Sequence, residues 1–196
     1  TSGISMVRAL EYIVMREDAR KRELGSPKPL SSLTSELPLQ EYYVDKENNL
    51  NPRYTFDSFV VGPFNELAYA AAQAVIKKPG MPYNPLFVYG GTGHGKTHLL
   101  QAIGNHIKSA FPGHRIFYVT SEKFTQDYVT SVQNNKANQF KDKYRHFDCL
   151  IMDDIQFLAG KERTQEEFFH LFPSMRLNPR LRAVASNERR FPTSVM

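Results

Sequence analysis

The spacing of apolar positions divides the chain near Asn48. Over residues 5–24, "SMVRALEYIVMREDARKREL", apolar residues recur at roughly helical intervals before mixed charges take over, which predicts a short amphipathic helix. Residues 25–50 combine Pro, Ser and charge without periodicity and read as a linker. From residue 51 onward the pattern is regular. Asn65 is the predicted N-cap of an alanine-rich helix, "ELAYAAAQAVIKK", which "GMPYNP" breaks. The apolar run "LFVYG" predicts a buried strand, followed by a helix through "KTHLLQAIGNHIKSA" that stops at "FPGH". "RIFYVT" and "CLIMDD" predict two more strands. Between them Ser121 is the expected cap of "EKFTQDYVTSVQ", and "KANQFKDKYR" forms a further helix. Thr164 and Glu167 have the spacing of a capping box for "RTQEEFFHLF". Strands alternating with helices of this length predict a three-layer α/β fold, a parallel sheet with helices on both faces. Past Phe172, Pro173 is expected to end the helix, and Pro179 with its neighbouring arginines to spoil the strand that the alternation calls for.

Composition narrows this picture only slightly. The chain has 196 residues, 41% of them hydrophobic, enough for one core domain with an appendage. A net charge of +5 leans toward anionic partners such as nucleotides or nucleic acid. The single cysteine, Cys149, excludes an intrachain disulfide, lies in an apolar run as a packed thiol would, and fits a reducing, cytoplasmic setting. No apolar stretch approaches the ~18–20 residues of a membrane span.

The chemistry is concentrated in two places. Residues 90–97, "GGTGHGKT", fit G-x-x-x-x-G-K-[ST], the phosphate-binding P-loop. Glycines there let successive backbone N–H groups turn toward a polyphosphate, and the helix that follows adds its positive end. Gly91, Thr92, Gly93, His94, Gly95, Lys96, Thr97 and His98 are thus candidate nucleotide-binding residues. Lys96 would reach the β- and γ-phosphates, and the Thr97 hydroxyl would bind Mg²⁺. A glycine-rich turn is the bland alternative, but this loop lies between an apolar strand and an amphipathic helix, as phosphate binding requires. Downstream, the strand "CLIMDD" ends in Asp153 and Asp154. Adjacent carboxylates at the tip of a buried strand are costly unless a cation sits there. Asp153 is the candidate Mg²⁺ ligand, and Asp154 the group that polarises an attacking water.

The phrases "NPRYTFDSFVVGPFNELAYAAA", "YNPLFVYGGTGHGKTHLLQAIG", "SEKFTQDYV" and "KYRHFDCLIMDDIQFLAGKERTQEEFFH" resemble the AAA+ ATPase domain of the DnaA family of bacterial chromosomal replication initiators. The resemblance runs from Asn51 to Phe172. It implies an AAA+ type of P-loop NTPase over residues 51–196, incomplete at its C-terminus. That domain would follow an N-terminal helical segment (1–24) and a linker (25–50). It further implies that Val60, Val61 and Asn65 lie against adenine and ribose, that Asn187 stands where a sensor of the γ-phosphate belongs, and that Val129, Lys161 and Arg163 meet single-stranded DNA. The implied cofactors are ATP or ADP and Mg²⁺. The implied partners are origin DNA, single-stranded DNA, further copies of the chain, the replicative helicase and anionic phospholipid. After Phe172 the family phrases stop, so a truncated or frame-shifted initiator with weak ATPase activity is expected. Three alternatives remain open at this point: a helicase loader or regulatory paralogue of the initiator, a P-loop kinase for a small molecule, and a nucleotide-binding remnant without catalysis.

Overall fold

A computed structural model of the chain describes residues 12–15, 44–81, 83–171 and 181–186. Its centre is a parallel sheet of β1 (Tyr12–Met15), β2 (Leu86–Gly90), β3 (Ile116–Thr120), β4 (Cys149–Asp153) and β5 (Leu181–Ser186), in the spatial order β1-β2-β5-β4-β3. The helices are α1 (Glu66–Lys77), α2 (Lys96–Ala110), α3 (Ser121–Gln133), α4 (Ala137–Arg145) and α5 (Glu162–His170), with a 3-10 turn at Ile155–Leu158. The expected layered α/β arrangement is therefore the observed one.

The period-2 geometry of strands sorts the core into two clusters. Leu86 and Val88 of β2 and Cys149 and Ile151 of β4 join α1 and α2 residues such as Val75, Leu99, Leu100 and Ile103. The intervening Phe87, Tyr89, Leu150 and Met152 face the other way and pack with Phe124, Phe140, Tyr144 and Phe168. Gly104 sets the closeness of α2 to the sheet. A Cβ there would come within 2.8 Å of both Ile151 and Leu50 side-chain atoms.

Several expectations need correcting. The helix over 1–24 is contradicted at Tyr12–Met15, which is a strand paired in parallel with β2 from Tyr12 opposite Phe87 to Met15 opposite Gly90. Tyr-Ile-Val-Met is rich in residues that suit a pleated surface, and the edge of β2 offers it a ladder that local helical spacing cannot match. The linker also ends sooner than expected. Asp45 and Leu50 pair across a turn, Leu50 is 1% exposed within the core, and the Tyr118 backbone N–H donates to the Asn48 carbonyl at 2.9 Å. The strand beyond Pro179 does form: β5 pairs with β2 on one side and β4 on the other. Pro179 precedes the strand by two positions in sequence, and Leu181–Ser186 itself contains no proline.

The caps differ as well. Asn65 occupies the N-cap position of α1 without a side-chain cap bond. Thr120, not Ser121, caps α3 by accepting from the Lys123 N–H. Lys161 precedes α5, so Thr164 and Glu167 lie within the helix, both buried, and form no capping box. A tertiary contact engages Glu167 instead, which pairs with Lys141 of α4 at 3.1 Å.

Candidate nucleotide site

The C-terminal ends of β2 and β4, neighbours of β5 on either side, bring the two chemical motifs together. Between β2 and α2 the loop turns through Gly93 (φ 84°) and Gly95 (φ 83°), conformations that cost any residue with a Cβ. At Gly95 there is also no room, because a Cβ would lie 2.9 Å from the Phe59 ring. Gly95 offers α2 no side-chain cap, so the first amides of that helix are left to the loop.

Lys96, the first residue of α2, is 7% exposed, and its ammonium donates to the carbonyls of Gly90 (2.8 Å) and Gly91 (2.7 Å). Burial lowers its pKa, while the negative charges of Asp153 and Asp154 work against that fall. Asp153 is 2% exposed at the tip of β4. Its Oδ2 accepts from the Thr97 hydroxyl at 2.6 Å and from the Tyr118 hydroxyl at 2.9 Å, and its Oδ1 accepts from the Asp154 N–H at 2.9 Å. Burial, foremost, and the adjacent Asp153 charge push the Tyr118 phenol well above its ordinary range. Asp154 leaves the strand through a left-handed turn (φ 56°, ψ 42°). Its Oδ1 accepts from the Gln156 amide at 3.0 Å and its carbonyl accepts from the Ser121 hydroxyl at 2.6 Å.

Beside this edge, Val60 and Val61 are exposed by 79% and 47%. The Asn65 side chain fixes their loop, accepting from the Gly62 N–H at 2.8 Å and donating to the Val60 carbonyl at 3.0 Å. This is why Asn65 does not cap α1. His94 reaches back toward the same segment, its ring 5.4 Å from that of Phe64, and its buried Nδ1 has no hydrogen-bond partner. Thr92 and Gly93 are exposed, and Gly91 is half-buried at the end of β2. His98 is engaged beneath the loop instead: its Nε2 lies 2.8 Å from the Thr55 carbonyl, and its ring sits between Tyr54 (4.9 Å) and Phe59 (5.2 Å). It reaches Gly95 only through Phe59.

The residues expected to meet DNA are on other elements. Val129 is 44% exposed on α3, and Lys161 and Arg163 are exposed at the start of α5. The 3-10 turn leading to α5 packs against α3. Asn187 lies outside the described residues. Sequence reasoning missed Tyr118, Gln101, Ser121 and Gln156, which hold the aspartates or their neighbours. The available signal was a hydroxyl near the tip of the strand "RIFYVT", on the face opposite Phe117 and Val119.

A model of the bacterial DnaA ATPase domain matches residues 50–194. The chain belongs to this family. The match continues past Phe172, where the resemblance had been expected to stop, and takes in β5. The chromosomal replication initiator DnaA of Deinococcus deserti is 56% identical over 131 residues, 67% of this chain and 29% of that protein. Domain III of the Thermotoga maritima initiator has a similar structure, with a TM-score of 0.68, 50% identity, and coverage of 71% of this chain and 58% of that one. A replication initiator DnaA bound to AMPPCP and single-stranded DNA gives a TM-score of 0.67 at 44% identity, covering 71% of this chain and 43% of the other. The chain thus spans under a third of the length of the D. deserti relative. Among the described residues no helix is long and apolar enough to cross a membrane.

Proposed function

We propose that this domain binds ATP and ADP with Mg²⁺ at the edge formed by β2 and β4, and that the bound nucleotide controls assembly on DNA in the manner of a replication initiator. The observation that carries the reading is the meeting of Lys96, Thr97 and Asp153 at one end of the sheet, with the Thr97 hydroxyl 2.6 Å from the Asp153 carboxylate. The relative solved with AMPPCP and single-stranded DNA supports it. Lys96 is already desolvated and bonded to two carbonyls of its own loop, so a phosphate oxygen would exchange a neutral partner for a charged one. Val60 and Val61 offer exposed apolar surface to a base, with Asn65 holding them in place.

A hydroxyl beside a carboxylate is a hard-oxygen donor pair, the type that suits Mg²⁺. Thr97 and Asp153 would hold the ion, which would neutralise charge on the β- and γ-phosphates. Asp154 is the candidate for orienting the attacking water, and Asn187 for sensing the γ-phosphate. In this reading the site hydrolyses ATP. Val129, Lys161 and Arg163 contact DNA, and the chain self-assembles and meets origin DNA, a replicative helicase and anionic phospholipid.

Titration of a fluorescent ATP analogue against the native chain and Lys96→Ala tests the reading. A hydrogen bond to a charged group is worth about 1.5–3 kcal/mol, so the variant is expected to bind about 10- to 100-fold more weakly. Single-stranded DNA binding should rise with ATP in the native chain and ignore ATP in the variant. An unchanged Kd for Lys96→Ala would sink the proposal.

A further inference from the structure

Asp153 is held by more than the loop residue Thr97. The same Oδ2 accepts the Tyr118 hydroxyl at 2.9 Å, from the adjacent strand β3. The Tyr118 phenol has one proton, and it goes to Asp153. The Gln101 side chain also acts on the phenol, opposing the rise in its pKa as a donor amide would. Gln101 is 6% exposed on α2, and its Oε1 accepts from the Asn51 N–H at 2.8 Å. Tyr118 is fixed through its backbone as well. Its N–H donates to the Asn48 carbonyl (2.9 Å), and its carbonyl accepts from the Asn49 side-chain amide (3.2 Å). Hydrogen bonds thus lead from Asn48 and Asn49, through Tyr118, to a single carboxylate oxygen.

We propose that Tyr118 is a positioning residue that aims Asp153 Oδ2 at the Thr97 hydroxyl and so sets the affinity of the site for a divalent cation. The inference rests on the nucleotide-site reading above. A carboxylate at the end of a strand rotates about its terminal torsion at little cost. The Asp154 N–H takes Oδ1, and without Tyr118 the other oxygen would be held by Thr97, at the start of the helix that follows the phosphate loop. Tyr118 supplies a second restraint from the sheet. The segment preceding the domain becomes part of the cation site without touching it, because Asn48 and Asn49 hold Tyr118, which holds Asp153.

The test measures the Mg²⁺ concentration at half-saturation for binding of a fluorescent ATP analogue, together with the analogue's affinity in EDTA. Removing a group that holds a metal ligand weakens metal binding by about 10-fold or more. Tyr118→Phe should therefore raise the Mg²⁺ midpoint about 10-fold, while the affinity in EDTA stays within about 2-fold of native. A merely structural role would move both together, or neither. Gln101→Met, which keeps the phenol and removes the amide that acts on it and that ties Asn51 to α2, should shift the midpoint in the same direction by a smaller factor. It carries the test if Tyr118→Phe folds poorly. Asp153→Asn separates the two levels. If it leaves the midpoint where it was, the nucleotide-site reading fails. If it shifts the midpoint while Tyr118→Phe and Gln101→Met do not, the positioning role is overturned and the site reading stands.

Discussion

The two faces of the sheet are built from different materials. The face covered by α1 and α2 is mainly aliphatic, with small residues where elements meet: Ala68, Ala71 and Ala72 on α1 and Gly104 on α2 are all buried. The opposite face is aromatic. Phe124 packs against Phe140 (5.2 Å between centroids), Tyr144 (5.0 Å) and Phe168 (5.8 Å), each at a steep interplanar angle, the edge-to-face geometry favoured by ring quadrupoles. Small residues allow close backbone approach, and the helix so held carries Lys96 and Thr97. Large rings hold helices by a few anchors. On α3 the buried residues are Ser121 and Phe124 alone, leaving Val129 and Val132 exposed by 44% and 47%. One face is built to fix a phosphate loop, and the other to support a helix that displays its surface.

The largest effect that can break this contrast comes from the aromatic face. Phe124→Ala is expected to cost about 3–5 kcal/mol, since it removes a fully buried ring with three aromatic neighbours. Urea unfolding measures the loss. Affinity for an ATP analogue should change less than about threefold, because the rings and the phosphate loop lie on opposite sides of the sheet. Equal losses in stability and in nucleotide affinity would mean that the faces are not separable. A smaller effect is expected from Gly104→Val on the aliphatic face. The first added carbon already meets Leu50 and Ile151 at 2.8 Å, so the variant overpacks α2 and is expected to lose about 1–3 kcal/mol. It should also weaken nucleotide binding, as α2 carries the loop with it. Gly104→Ala should lose less, because the clashing atoms are the ends of flexible side chains and alanine gains about 1 kcal/mol of helix propensity. Nucleotide affinity that tracks stability in the Gly104 series but not in Phe124→Ala would confirm the division.

The same contrast explains what could be read in advance. β2, β4 and the loop between β2 and α2 were legible because local sequence alone demands them: unbroken apolar runs, then glycines at positions of positive φ. The helices from α1 to α4 were legible for the same reason, by spacing. What local pattern did not carry was fixed by partners distant in sequence. Tyr12–Met15 is a strand because β2 has an edge, and Leu181–Ser186 because it lies between β2 and β4. Asn65 and Glu167 looked like caps because their types suit caps, yet the neighbouring loop claims the side chain of the first and α4 that of the second. Leu50 looked like the end of a linker because it stands among Asn48, Asn49 and Asn51, although it fills the space beside Gly104. In the site, Lys96, Thr97 and Asp153 were legible by type and order. Tyr118 was not, because its hydroxyl acquires meaning only when β3 lies next to β4.

The smallest expected effect concerns how firmly the segment before the domain is attached to the aliphatic face. Asp45 pairs with Lys108 near the end of α2 and accepts from the Asn48 side-chain amide (2.9 Å) and the Glu47 N–H (3.0 Å). The Lys108 hydrogen bond foremost, then Asn48 and Glu47, hold its pKa down to about 2 from 3.8, against the opposing effect of burial. A carboxylate with a depressed folded-state pKa contributes stability that is fully present above its unfolded value and lost as pH falls through the folded one. The window here is therefore pH 4 down to 2. Lys108 is 47% exposed, so solvent screening reduces the contribution to below about 1 kcal/mol. Urea midpoints of the native chain and Lys108→Met should differ slightly at pH 5 and converge as the pH falls toward 2. Because every other carboxylate titrates alike in both proteins, the difference isolates this pair. A gap that persists at pH 2 would show that Lys108 stabilises the attachment through the packing of its aliphatic stem, and that the aliphatic face holds residues 45–51 without help from charge.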